Sequence, residues 1–178
     1  QRFMKIALEV SSWSKDPSTK VGCVLVRDKK VISTGYNGLP KNLSDNLDRL
    51  MRRQEKYEIT VHAEVNAVTT AALHGVSTEG CAAYVTFNPC SRCAAVLINA
   101  GINSIYSYAG SEIPDRWLTN FILASKILAE AGVNYQTIAV PDHKGIFFLP
   151  LAPTQATSSL ITACVLCKSQ CLQQTTTV

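Results

Sequence analysis

The chain has 178 residues, 47% of them hydrophobic and 17% charged, and carries a formal net charge of +4. This composition excludes a fibrous or wholly disordered polymer and fits a globular domain long enough to bury a core without covalent staples. Aromatic residues make up only 7%, and the lysines and arginines are dispersed apart from the pair Arg52-Arg53. That balance argues against a dedicated nucleic-acid binder and suits a small anionic ligand.

In chain order, Phe3, Ile6, Ala7, Val10 and Trp13 recur at helical spacing until Asp16-Pro17-Ser18 breaks the pattern, which predicts an opening amphipathic helix. Residues 21–28 and 31–37 are β-rich runs joined across Lys29-Lys30, a predicted hairpin whose turn lacks glycine. The polar stretch 39–58 has Leu43, Leu47, Leu50 and Met51 as scattered apolar points and reads as a long surface insertion containing one short helix. The alanine-rich run from Val61 to Leu73, closed by Gly75, predicts a buried helix. Cys81 to Phe87 reads as a strand, with Pro89 opening a helix that ends before Gly101. A strand from Ile102 to Tyr108, a helix from Trp117 to Ala131 and a last strand from Val133 to Val140 follow. Strands alternating with helices after a hairpin predict an α/β domain over residues 1–150, a mixed sheet flanked by helices. Beyond Pro150 the composition turns to Thr, Ser, Gln and Ala, which predicts a flexible tail over 151–178. Its cysteines Cys164, Cys167 and Cys171 have no histidine beside them and read as an incidental set.

The seven cysteines are odd in number, and Cys90-x-x-Cys93 has the spacing of a metal or redox site rather than of a secreted disulfide framework. No apolar run reaches membrane-spanning length and no leader is visible, so the expected location is the cytoplasm, with no membrane association. His62, Cys90 and Cys93 supply one imidazole and two thiolates, the right number for a catalytic zinc with one position left open. Both ligand groups fall at predicted helix starts, where free N–H groups and the dipole favour thiolates. Glu64, two residues beyond His62, is placed to shuttle protons between a water and the reacting compound. A structural zinc would need a fourth ligand, for which Cys23, Cys81, His74, His143 or a tail cysteine are the candidates. A redox reading of Cys90-x-x-Cys93 leaves His62 without a role.

His62-Ala63-Glu64 with Pro89-Cys90-Ser91-Arg92-Cys93 matches the zinc deaminase signature. Thr19-Lys20-Val21-Gly22, Gly35-Tyr36-Asn37-Gly38-Leu39-Pro40 and His62-Ala63-Glu64-Val65-Asn66-Ala67 add to it, and in this order the set resembles the dCMP deaminases of the cytidine deaminase superfamily over residues 1–140. The resemblance implies a three-layer α/β/α fold with a mixed sheet of about five strands. It further implies zinc-dependent conversion of dCMP to dUMP and ammonia by a homo-oligomer, commonly a hexamer, activated by dCTP and inhibited by dTTP with magnesium. Carried across residue by residue, it makes Asn37 a sugar ligand, Val21 and Ala63 parts of the pyrimidine pocket, and Lys20, Gly35, Gly38 and Asn66 neighbours of the effector. Tyr108 at a strand end and Arg116 with Trp117 at a helix start are candidate contacts to base or phosphate. Gly35, Gly38 and Asn37 read equally as turn residues.

Three segments depart from the resemblance. The insertion lacks the histidine and cysteine of a second zinc site, the IPDRWLTNF segment has no counterpart in the best-known members, and neither has the tail. A deaminase of tRNA or single-stranded nucleic acid, and a nucleotide-sensing module without turnover, are the competing readings. The choice among dCMP, dCTP and a hydroxymethylated cytosine nucleotide stays open at this point.

Overall fold

The computed structural model describes residues 1–140 apart from Asp45 and residues 111–113. His143, the tail and its three cysteines lie outside the described residues. The elements run α1 (Arg2–Ser12), β1 (Gly22–Arg27), β2 (Lys30–Tyr36), α2 (Leu47–Met51), α3 (Arg53–Ile59), α4 (Ala63–Leu73), β3 (Ala82–Val85), α5 (Ser91–Asn99), β4 (Ser104–Tyr108), α6 (Asp115–Glu130) and β5 (Asn134–Ile138).

Two expectations are corrected. The insertion holds two short helices, α2 and α3, rather than one. Pro89 does not open α5: Cys90 is the N-cap, in extended conformation, and the first helical residue is Ser91. Proline there holds the preceding residue extended and stiffens the approach to the cap. The hairpin between β1 and β2 turns through Asp28 and Lys29, both left-handed at φ 51° and 61°. That is the backbone a two-residue hairpin turn requires, reached here without glycine.

The sheet order is β2-β1-β3-β4-β5. β1 pairs antiparallel with both β2 and β3, whereas β3, β4 and β5 are parallel and are joined through α5 and α6. β1 alone therefore runs against the other four strands. Alternation along the strands separates two cores. Cys23, Leu25, Ala83, Val85 and Ile105 face α4, α5 and α6, and Val24, Val26, Tyr84 and Tyr106 face Met4, Ala7 and Val10 of α1. This is the three-layer arrangement, with one helix on one face and three on the other.

The layers meet closely at two glycines. A Cβ at Gly22 would strike the α1 backbone at Ala7 and Ser11, and one at Gly35 would strike the α4 backbone at Ala63 and Ala67. Among the described residues no helix is long and apolar enough to cross a membrane.

The strand directions locate the site. β2, β3 and β4 all end at one edge of the sheet, where β1 begins and where α4, α5 and α6 present their N-termini. In open α/β sheets this carboxyl edge is where ligands bind.

Candidate active site

A cavity of about 390 Å³ opens at this edge. Its floor is built by α4 and α5. His62 is the N-cap of α4 in extended conformation, and the segment before it is pinned by a two-bond bridge between Val61 and Gly38 (2.9 and 3.1 Å). Cys90 caps α5, its sulfur accepting the Cys93 N–H at 3.4 Å. The Ser91 N–H donates to Asn120 Oδ1 at 2.8 Å, which ties the start of α5 to α6.

Cys90 Sγ lies 3.6 Å and Cys93 Sγ 3.3 Å from His62 Nδ1, and the three donor atoms fall within 4.8 Å of one another. A tetrahedral zinc with Zn–S near 2.3 Å and Zn–N near 2.0 Å sets its nitrogen and sulfur ligands about 3.5 Å apart. The donor set thus fits zinc in chemistry and in spacing. Among the described residues no fourth protein ligand joins it, since Cys23 and Cys81 are buried in the core and His74 caps the far end of α4. Three ligands with an open position is the arrangement of a catalytic centre.

The two thiols differ in acidity. A hydrogen bond from the Cys93 thiol, helped by His62 and the Cys93 N–H, brings Cys90 down to about 4. Cys93, which keeps its proton to donate that bond, is pushed far up. Zinc held by His62, Cys90 and Cys93 would displace the shared proton and take both sulfurs as thiolates. His62 is raised, first by its hydrogen bond with Cys90.

Glu64 stands in the first turn of α4, 4% exposed, and its carboxyl is raised chiefly by burial. Cys93 and His62 are among the groups that act on it. Phe87, Phe121 and Trp117 pack beside the thiols, Phe87 edge-on to Phe121 at 5.6 Å and Trp117 stacked on Phe121 at 6.1 Å. These rings exclude water from one side of the donor set, which strengthens electrostatic interactions within it.

Of the other residues expected at the site, Val21, Asn37, Ala63 and Arg116 line the cavity. Asn37 Oδ1 accepts the Val21 N–H at 2.7 Å and its amide donates to the Thr19 carbonyl at 2.9 Å, so it fastens the cavity wall. Tyr108 is not brought there. By strand alternation it faces the α1 side, among Met4 and its neighbours. Lys20, Gly35, Gly38 and Asn66 also lie outside the lining. Lys20 is exposed and donates to the Ser12 carbonyl at 3.4 Å, Gly35 sits under α4, Gly38 is bridged to Val61, and Asn66 donates to the Tyr36 carbonyl at 2.7 Å.

The sequence reading missed the contribution of the insertion. Leu50 and Met51 from α2, and Arg53, Lys56 and Tyr57 from α3, form one side of the cavity. Asp16 joins them through a buried ion pair with Lys56 at 2.7 Å. Burial alone would raise the Asp16 carboxyl, but the Lys56 ammonium and the N–H groups of Thr19 and Ser18 outweigh it and hold it low. Arg52-Arg53 was the one signal in the insertion that pointed to this role.

The profile of the cytidine and deoxycytidylate deaminase zinc-binding region matches residues 1–109. An uncharacterized deaminase from the luxG 3′ region of Aliivibrio fischeri is 40% identical over 134 residues, which span 75% of this chain and 88% of that protein. A probable deoxycytidylate deaminase of Caenorhabditis elegans is 35% identical over 147 residues, covering 80% and 71% of the two chains. In fold, the dCMP deaminase of cyanophage S-TIM5, crystallised with dCMP and dUMP, superposes with a TM-score of 0.64 at 24% identity over 77% of this chain and 94% of that one. With its donor set, its buried glutamate and these relatives, the chain belongs to the cytidine and deoxycytidylate deaminase family.

Proposed function

We propose that the chain hydrolyses dCMP to dUMP and ammonia. The observation that carries this is a single cavity lined by Glu64, His62 and Cys90, with Cys93 buried behind them, and two exposed arginines, Arg53 and Arg116, at its mouth. A cytosine nucleotide has the matching ends, an amidine to hydrolyse and a phosphate to hold. The C. elegans relative named for deoxycytidylate, and the cyanophage enzyme seen with dCMP and dUMP, support the same reading.

Zinc held by His62, Cys90 and Cys93 would supply Lewis acidity for the activation of water. Glu64 handles the protons. Its carboxylate takes one from the attacking water and passes it to the ring nitrogen N3, then takes the second from the new C4 hydroxyl and delivers it to the amine. The C4–N bond then breaks as the C4 carbonyl forms, and ammonia leaves. Val21 and Ala63 wall the base, and Asn37, held by the Thr19–Val21 backbone, still has one amide hydrogen and one lone pair for a sugar hydroxyl. Arg53 and Arg116, both exposed on the cavity lining, are the contacts for the phosphate. A hydrogen bond between charged groups contributes about 1.5–3 kcal/mol.

The family resemblance extends the proposal to a cytoplasmic homo-oligomer, such as a hexamer, with dCTP as activator and dTTP with magnesium as inhibitor. Lys20, Gly35, Gly38 and Asn66 are its candidate effector neighbours. Catalytic efficiency on deoxycytidine, dCMP, dCTP and a cytosine oligonucleotide, followed by titration of dCTP and dTTP, tests both parts. dCMP should exceed deoxycytidine by about 10-fold or more, the value of one charged contact. Equal efficiency on the two would defeat the nucleotide assignment.

A further inference from the structure

Helix α3 is seven residues long, too short to hold itself in water, and the residue it buries is Lys56. The Lys56 ammonium donates to Asp16 Oδ1 at 2.7 Å, with side chains 10% and 5% exposed, and reaches the Ser18 hydroxyl at 3.4 Å. The same helix sends Arg53 and Tyr57 to the cavity, the guanidinium 5.5 Å from the Tyr57 ring. An ion pair, rather than an apolar side chain, therefore fastens the helix that carries an arginine of the cavity mouth.

The other half of the pair is equally placed. Asp16 Oδ1 also accepts the N–H groups of Ser18 at 2.7 Å and Thr19 at 3.0 Å. The Thr19 carbonyl and the Val21 N–H are in turn held by Asn37. One carboxylate thus connects the cavity wall at residues 18–21 with the insertion at its mouth.

We propose that the Asp16–Lys56 pair is a positioning device that holds Arg53 at the cavity mouth and so sets the preference for a phosphorylated over an unphosphorylated cytosine compound. This rests on the nucleotide reading above. Removing one partner leaves the other charge buried and unpaired. The helix must then shift to hydrate it, and Arg53 shifts with the helix.

The test compares kcat/KM for dCMP and deoxycytidine in the full, zinc-loaded chain and in four variants: Lys56→Met, Lys56→Arg, Arg53→Ala and the double Arg53→Ala/Lys56→Met. Bound zinc is measured in each. Lys56→Met should lower the dCMP-to-deoxycytidine ratio on the order of 10–100-fold, mainly through KM for dCMP and with zinc retained, because a charge-assisted contact is lost. Lys56→Arg should recover most of the ratio. In the Arg53→Ala background, Lys56→Met should change the ratio by less than about twofold, since both act through one contact. An unchanged ratio in Lys56→Met overturns the positioning role, and multiplicative effects in the double variant do so as well by giving Lys56 a contact of its own. The dCMP assignment survives either result. Should Lys56→Met not fold, Asp16→Asn carries the same readouts, because its amide oxygen can still accept the two N–H bonds while the charge is gone. A parent that treats both compounds alike overturns the nucleotide reading and this inference together.

Discussion

On the cavity floor, His62, Glu64 and Cys90, with Cys93 buried behind them, stand at the starts of α4 and α5, helices whose Ala63, Ala67, Ala94 and Leu97 are fully buried against the sheet. At the mouth, Arg53 and Arg116 stand exposed on a seven-residue helix and on the first turn of α6. The floor takes its geometry from the apolar core, as Arg116 does through the buried Phe121, Ala124 and Leu128 of α6, whereas Arg53 depends on a polar contact that can break singly. Chemistry that needs reacting groups placed within a fraction of an ångström belongs on the first kind of support, and selection among substrates can sit on the second.

The largest effect should follow from removing a floor ligand. Cys93→Ala leaves two donors, too few for tight zinc binding, so metal analysis should find zinc largely lost and deamination abolished. Dialysis of the parent against a strong chelator should give the same loss, reversed by zinc. Glu64→Gln comes next. The amide fills the same space and leaves the three donors in place, but it cannot carry protons, so zinc stays bound while kcat falls about 10²–10⁴-fold. Arg116→Ala acts at the mouth and should lower kcat/KM for dCMP about 10–100-fold, chiefly through KM, with a much smaller change for deoxycytidine. Gly35→Ala separates packing from ligand binding. Its methyl meets the α4 backbone, and crowding of this kind costs roughly 1–3 kcal/mol in denaturant unfolding. A stable Gly35→Ala variant that had lost only its dCTP response would instead return Gly35 to the effector.

The floor was legible because its signal is local. His62-x-Glu64 and Cys90-x-x-Cys93 each lie within one helix start, and a zinc centre dictates both residue type and spacing. The five strands and the helices α1, α4, α5 and α6 were legible for a similar reason, since each lies on its own local run of β-rich or helix-spaced residues. The mouth was not. Lys56 meets Asp16 across 40 positions, and nothing near either residue marks them as partners. α3 buries a lysine instead of an apolar stripe, so the periodicity that reveals a helix is missing from it. The face that Tyr108 takes, the α1 side, was not legible because a strand end offers two faces, and the register that selects one is set by β3 and β5 rather than by β4 itself.

The most direct test of this division is kcat/KM for dCMP and deoxycytidine in the parent, Glu64→Gln and Arg116→Ala proteins, each with its zinc content measured. Glu64→Gln should depress both substrates by the same factor, and Arg116→Ala should depress dCMP far more than deoxycytidine, with zinc bound in all three. If Glu64→Gln turns over dCMP near the parent rate, or if Arg116→Ala lowers both substrates equally, chemistry on the floor and selection at the mouth is the wrong description of this enzyme.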